Sequence, residues 1–130
     1  MSSKVIGLVD DEEVFHWIVE KYIKKLNNGC EFLSFFNGEE IFKYLSSAPE
    51  VVPNILLLDL NMPVCSGWRF LENYTSTTST TATTDMDIYI LSSSIDPEDK
   101  IKAKKFPVVR EFISKPISND FLKRALGRIE

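Results

Sequence analysis

Acidic side chains stand where two short apolar runs break off. Lys4-Val5-Ile6-Gly7-Leu8-Val9 gives way to Asp10-Asp11-Glu12-Glu13, and Ile55-Leu56-Leu57-Leu58 to Asp59, followed by Leu60-Asn61-Met62-Pro63. Apolar runs of this length, the second behind the Pro53-Asn54 breaker, fit strands buried on both faces. In open parallel α/β sheets the working crevice lies beyond the carboxyl ends of the strands. Ile88-Tyr89-Ile90-Leu91 closes in the same way on Ser92-Ser93-Ser94, and the segment ending at Ser114 runs into Lys115-Pro116. If these strands share one sheet, Asp10, Asp11, Asp59, Ser92 and Lys115 converge on one edge. Carboxylates packed in a partly enclosed crevice raise one another's energy unless a cation neutralises them. Hard carboxylate and carbonyl oxygens suit Mg²⁺, with Mn²⁺ as a substitute, and Mg²⁺ usually takes one or two carboxylates, several waters and a phosphoryl oxygen. Lys115 adds a mobile cation that can balance the pocket without metal and meet new negative charge on Asp59. Taken alone, Asp59 is no more than the cap of a loop; only the combination points to chemistry.

The elements that must position these groups alternate along the chain. After the first strand, Phe15, Ile18, Val19, Tyr22, Ile23 and Leu26 recur at helical spacing, and Asn27-Asn28-Gly29 supplies a stop. Trp17 falls off that stripe. Cys30 to Phe36 reads as a second strand, and Asn37, with Glu40 three residues on, opens a second helix through about Ser46. Beyond the Asp59 strand, Val64-Cys65-Ser66-Gly67 forms a loop. A short third helix then runs from Trp68 to about Tyr74, with Trp68, Phe70 and Leu71 as anchors. The low-complexity tract 75–84, rich in Thr and Ser, predicts a solvated loop with a frayed helical end. Asp96-Pro97 opens a fourth helix with Ile101 and Phe106 as its apolar contacts. Val108 to Ser114 is the fifth strand. A last helix begins at Ser118 or Asn119 and turns Phe121, Leu122, Leu126 and Ile129 inward. Sequential βα units require right-handed crossovers and a mostly parallel sheet, so an α/β doubly wound domain is predicted.

With 130 residues, 44% of them hydrophobic and 26% charged, the chain is long enough for one ordinary core without staples. A net charge of -4 with dispersed basic residues disfavours direct nucleic-acid binding. No apolar run approaches the roughly 18 to 20 residues of a membrane span, and the start of the chain does not read as a signal peptide. A cytoplasmic location without membrane insertion is expected. Cys30 and Cys65 lack the spacing of a metal or redox motif and read as reduced thiols.

The order of these motifs resembles the receiver domain of two-component response regulators, over essentially the whole chain, 1–130, as a single stand-alone domain. The resemblance rests on the acidic pair Asp10-Asp11, on Asp59 followed by Asn61-Met62-Pro63 and Gly67, on Ser92, and on Lys115-Pro116. It implies a flavodoxin-like five-stranded parallel sheet of order 2-1-3-4-5 flanked by five helices. The implied function is a switch phosphorylated on Asp59 by a sensor histidine kinase or histidine phosphotransfer protein, which catalyses only its own phosphorylation and dephosphorylation. Asp11 then corresponds to the direct Mg²⁺ ligand, Asp10 to one acting through water, and Asn61 to a backbone-carbonyl ligand. Ser92 and Lys115 correspond to the groups that meet the phosphoryl oxygens, and the Lys115-Pro116 peptide is expected to be cis. Phe112 stands at the aromatic switch position, where Tyr is commoner. Asn61 and Ser94 bear on water access and hence on phosphoryl lifetime. The output is expected to be a downstream protein, or phosphate passed onward in a relay, and a monomer is the simpler working form.

Three side features complete the reading. His16, the only histidine, reads as a helix-surface residue rather than a general base. Val14 and Trp17 form a docking surface for the phosphodonor, or else Trp17 packs on its own domain. The Thr-rich tract lies at the far end of the sheet from the acidic pocket and lacks phosphate-loop glycines. A flavin-type cofactor module would set a phosphate against Asp10-Asp11-Glu12-Glu13, and an aspartyl phosphatase resembles Asp-x-Asp where this chain has Asn61. The stronger alternative is a receiver-like module that binds partners constitutively.

Overall fold

The computed structural model describes residues 4–26, 29–62, 65–78, 86–93 and 96–128. Asn27-Asn28, Pro63, Val64, Ser94, Ile129 and residues 79–84 of the Thr-rich tract, all used in the sequence reading, lie outside them. Five strands and five helices alternate: β1 (Val5–Val9), α1 (Glu13–Leu26), β2 (Glu31–Phe35), α2 (Gly38–Ser46), β3 (Ile55–Asp59), α3 (Gly67–Thr78), β4 (Asp87–Ser92), α4 (Pro97–Ala103), β5 (Val109–Ser114) and α5 (Asn119–Arg128). Every strand pairing is parallel and the order is β2-β1-β3-β4-β5, the expected flavodoxin-like arrangement. The central strands β1 and β3 are buried along their whole length. Continuous apolar runs, rather than alternating ones, are what a sheet covered on both faces demands.

Strand alternation sorts the core into two layers. Ile6, Leu8, Ile55, Leu57, Tyr89 and Leu91 pack with Val19 and Ile23 of α1 and Phe121, Leu122 and Leu126 of α5. Val9, Leu56, Leu58, Ile88 and Ile90 pack on the opposite face with Ile41 of α2, Phe70 and Leu71 of α3 and Ala103 of α4. The second helix is capped as its sequence requires: the Asn37 side chain accepts from the Glu40 N–H at 2.9 Å, and the Glu40 carboxylate accepts from the Phe36 N–H at 2.9 Å.

The structure corrects several expectations. The second strand is shorter than Cys30–Phe36 by one residue at each end. The third helix begins at Gly67 and continues to Thr78, into the Thr-rich tract. Weak helix propensity is overridden there because an already nucleated helix gains a hydrogen bond for each added residue. Ile101 is exposed rather than inward, and Ala103 makes the buried contact of α4. Phe106 packs on the core and stacks on Trp68, with ring centroids 6.0 Å apart.

Candidate functional site

Parallel register brings the acidic strand ends together. Val9 pairs with Leu58, so one further step sets Asp10 level with Asp59. Alternation then sends both side chains to the α1/α5 side, the side taken by Leu8 and Leu57. Asp10, Asp11 and Asp59 each place a carboxylate oxygen within 4.8 Å of the others. Asp10 and Asp59 are buried, whereas Asp11 is exposed at the rim. Two steps beyond Ile113, which packs on the same face, Lys115 reaches in from the end of β5. Its Nζ donates to Asp10 Oδ2 at 2.6 Å and stands 3.8 Å from Asp59 and 3.7 Å from Glu12. The Lys115-Pro116 peptide is cis.

Asp10 is held from several directions. Its N–H donates to the Phe35 carbonyl at 3.0 Å, and its Oδ1 accepts from the Glu12 N–H at 2.8 Å. Asp59 is less well compensated. Burial above all raises its pKa to about 6; Lys115 and the Asn61 N–H pull it down, while the charges of Asp10 and Asp11 push it up. For Lys115, burial is the largest influence and lowers the pKa. The Asp10 hydrogen bond and the charges of Asp59, Asp10 and Glu12 together outweigh it, so the ammonium titrates above the ordinary lysine range. Three hard oxygens crowded together, with one ammonium against several negative charges, fit a hard divalent cation such as Mg²⁺.

The loop after β3 is shaped by a glycine. Gly67 N–H donates to the Leu60 carbonyl at 3.2 Å, and a Cβ at this position would lie 2.5 Å from the Asp59 carbonyl oxygen. A side chain there would push α3 off the turn that carries Asp59. Met62 anchors the same loop in the core, while the Asn61 side chain is exposed.

Ser92, fully buried, ends β4 one step beyond Leu91, the residue level with Asp59 in the β3–β4 register. Its carbonyl accepts from the Lys115 N–H at 2.8 Å. Phe112 pairs with Ile90 in the β4–β5 register and packs, half-buried, on the layer of Ile88 and Ile90. It also lines a groove of about 270 Å³ with Lys100, Ala103, Lys104 and Val109. Val14 and Trp17 are 68% and 57% exposed on α1 and belong to neither core layer. Lys21 Nζ lies 4.0 Å from the centre of the Trp17 ring.

Three residues named in the sequence for other reasons turn out to border the site. Glu12 supplies a further charge to Lys115, and the Phe15 ring lies 4.6 Å from its Nζ. His16, expected on the helix surface, is buried. Its ring packs against Phe36 and Phe32, and its Nε2 lies 2.7 Å from the Asp10 carbonyl oxygen. His16 shares helical spacing with buried Val19 and Ile23, a pattern that signals burial despite its polar type.

The family profile described as response regulator receiver domain matches residues 6–127. Among solved structures, the chain is similar to a two component response regulator from Cytophaga hutchinsonii, at 23% identity and a TM-score of 0.83, covering 99% of this chain and 98% of that one. It is similar to the chemotaxis protein CheY4 of Vibrio cholerae, at 22% identity and a TM-score of 0.76, covering 99% and 100%. A third likeness is to the response regulator protein TrrA from Thermotoga maritima in complex with Mg²⁺-BeF, at 22% identity and a TM-score of 0.75, covering 98% and 99%. At such identities these likenesses speak for the fold alone. No curated protein matches the sequence.

Proposed function

The chain belongs to the response regulator receiver domain family, and from that premise we propose that residues 1–130 act as one phosphorylation-dependent switch in a two-component or phosphorelay system. A sensor histidine kinase or histidine phosphotransfer protein is the donor, Asp59 the acceptor, and a downstream protein the output. The domain works in the cytoplasm as a monomer and touches neither nucleic acid nor membrane. The observation that carries this reading is the buried Asp59 carboxylate, raised in pKa, with Asp10 and Asp11 beside it and the Lys115 ammonium 3.8 Å away.

Asp59 is the nucleophile. One of its carboxylate oxygens attacks the phosphorus of a phosphohistidine; the O–P bond forms as the P–N bond breaks, and the electron pair of the broken bond returns to the imidazole. The product is an acyl phosphate, which water later hydrolyses at the same site. With a pKa of about 6, Asp59 is mostly ionised at neutral pH and so competent to attack. Asp11 as direct ligand, Asp10 through water, Asp59 itself and the Asn61 carbonyl would hold Mg²⁺, which would neutralise the charge of the phosphoryl oxygens. Positioning and charge neutralisation carry most of such a transfer. The domain is therefore a self-modifying switch, not a turnover enzyme.

After transfer, Lys115 exchanges Asp10 for a phosphoryl oxygen, and the Ser92 hydroxyl bonds another. Phe112 then follows Ser92 inward and reshapes the groove between α4 and β5. Phosphorylation thus shifts a pre-existing equilibrium of the α4, β5 and α5 face. Val14 and Trp17 receive the phosphodonor protein.

Intact mass after incubation with Mg²⁺ and acetyl phosphate tests this reading, with Asp59→Asn alongside. The wild type alone should gain one labile phosphoryl group, and chelator should abolish the gain. If it gains none, amide shifts under saturating beryllofluoride distinguish a short-lived phosphate from an inert site. Unchanged shifts on the α4, β5 and α5 face would leave a constitutive binding module as the better account.

A further inference from the structure

His16 has no part in the chemistry above, yet it contacts one of the residues that does. His16 is only 5% exposed, and its Nε2 lies 2.7 Å from the Asp10 carbonyl oxygen. A carbonyl can only accept, so Nε2 carries the hydrogen and donates it. Nδ1 is buried with no partner among the described residues. The contact to Asp10 is thus the ring's one polar anchor there, and packing against Phe36, with centroids 4.4 Å apart, and edge-on to Phe32 at 6.3 Å holds the ring in place.

The peptide group is planar, so the Asp10 carbonyl and the Asp11 nitrogen turn as one unit. Asp10 N–H is already fixed by the Phe35 carbonyl. Fixing the carbonyl as well sets the direction in which the chain leaves β1, and with it the position of Asp11 relative to Asp10. Without a donor, a buried carbonyl must find another partner, and rotating this peptide is the available way to find one. Resting on the functional reading above, we propose that His16 is a positioning residue, whose Nε2–H holds the Asp10–Asp11 peptide so that the two carboxylates converge with Asp59 on one divalent cation. The partners of metal ligands commonly tune affinity in this way.

The test is Mg²⁺ titration by calorimetry on the full chain, with amide shifts recorded in parallel, for wild type, His16→Gln and His16→Leu. Glutamine sets an N–H donor at nearly the reach of Nε2, whereas leucine fills the space without one. His16→Leu should bind Mg²⁺ about tenfold more weakly and displace the Asp11 amide resonance. His16→Gln should restore both most of the way. Should His16→Leu fail to fold, His16→Met takes its place in the same comparison. Wild-type affinity in the apolar variant, or equal losses in it and in His16→Gln, would overturn the positioning role. A wild type that binds no Mg²⁺ would instead overturn the functional reading, and this inference with it.

Discussion

Lys115 Nζ lies 2.6 Å from Asp10 Oδ2 but 3.8 Å from Asp59 Oδ1. The lysine is therefore engaged with a carboxylate of the proposed metal site, leaving the proposed acceptor only loosely paired. On the proposed function, metal and lysine would draw on the same negative charge and so oppose each other at Asp10, although both would favour a phosphorylated Asp59.

Replacing Lys115 should separate those two effects. In Lys115→Met the carboxylates lose their internal counter-ion, and stability in chelator falls. Mg²⁺ affinity should rise about five- to thirtyfold, the equivalent of ~1–2 kcal/mol for removing one nearby positive charge in a partly solvated site. Phosphoryl uptake from acetyl phosphate should nonetheless slow. Calorimetric titration and a mass-resolved time course measure the two separately; weaker Mg²⁺ binding in the variant would mean that the lysine organises the carboxylates rather than competing for them.

Asp59 also makes stability depend on pH. Its pKa in the folded chain is about 6, against an ordinary 3.8. Between these values the folded state keeps a proton that the unfolded chain has released. The contribution of this group is therefore full below about pH 4 and lost as pH rises through about 6. In chelator, Asp59→Asn should escape that loss. Its melting temperature should draw ahead of the wild type's between pH 4 and about 7 and stay ahead above. The gap corresponds to about 1–2 kcal/mol, discounted for residual solvent screening. A gap that narrows with rising pH would show Asp59 to be stabilised, not strained, by its surroundings.

Much of this arrangement was legible because strand ends are punctuated by polar residues. Apolar runs halting at Asp10, Asp59 and Ser92, with a mixed strand ending just before Lys115, marked both the sheet and the edge where these groups converge, and the parallel order follows from alternating elements. What stayed hidden depended on tertiary partners. His16 is polar by type, but its Nε2 meets one backbone carbonyl while its ring packs on Phe32 and Phe36, partners that no spacing rule names. Ile101 looked like an anchor, but α4 is only seven residues long and buries Ala103 instead. The extension of α3 to Thr78 is a matter of helix cooperativity, which residue propensities do not capture.

Gly67 links the fold to the site through a single missing atom. An added Cβ would stand 2.5 Å from the Asp59 carbonyl oxygen and 3.1 Å from Leu60 Cα. Both obstacles are backbone, so no side-chain rotation relieves them. Gly67→Ala should cost about 1–3 kcal/mol in denaturant unfolding, as overpacking does. Because relief must come from moving α3 or the end of β3, Mg²⁺ affinity should fall as well. Loss of stability at wild-type metal affinity would show that α3 yields and leaves Asp59 in place.

Trp17 tests whether the α1 surface receives the phosphodonor. It is 57% exposed and Val14, one helical turn before it, 68% exposed, so the pair presents apolar area that the domain does not bury. Lys21 lies over the Trp17 ring, yet an exposed cation–π contact contributes only about 0.5–1 kcal/mol. Truncating Trp17 should therefore leave stability nearly unchanged. If a donor protein packs here, Trp17→Ala removes a large aromatic contact of the kind that carries binding energy, about 2 kcal/mol or more. Transfer from a phosphorylated histidine protein should then slow by tenfold or more at subsaturating donor, while acetyl phosphate, too small to touch α1, labels both proteins at the same rate. Equal slowing with both donors would place the defect in the acidic pocket, and no slowing with either would leave Trp17 as a residue that packs only on its own helix.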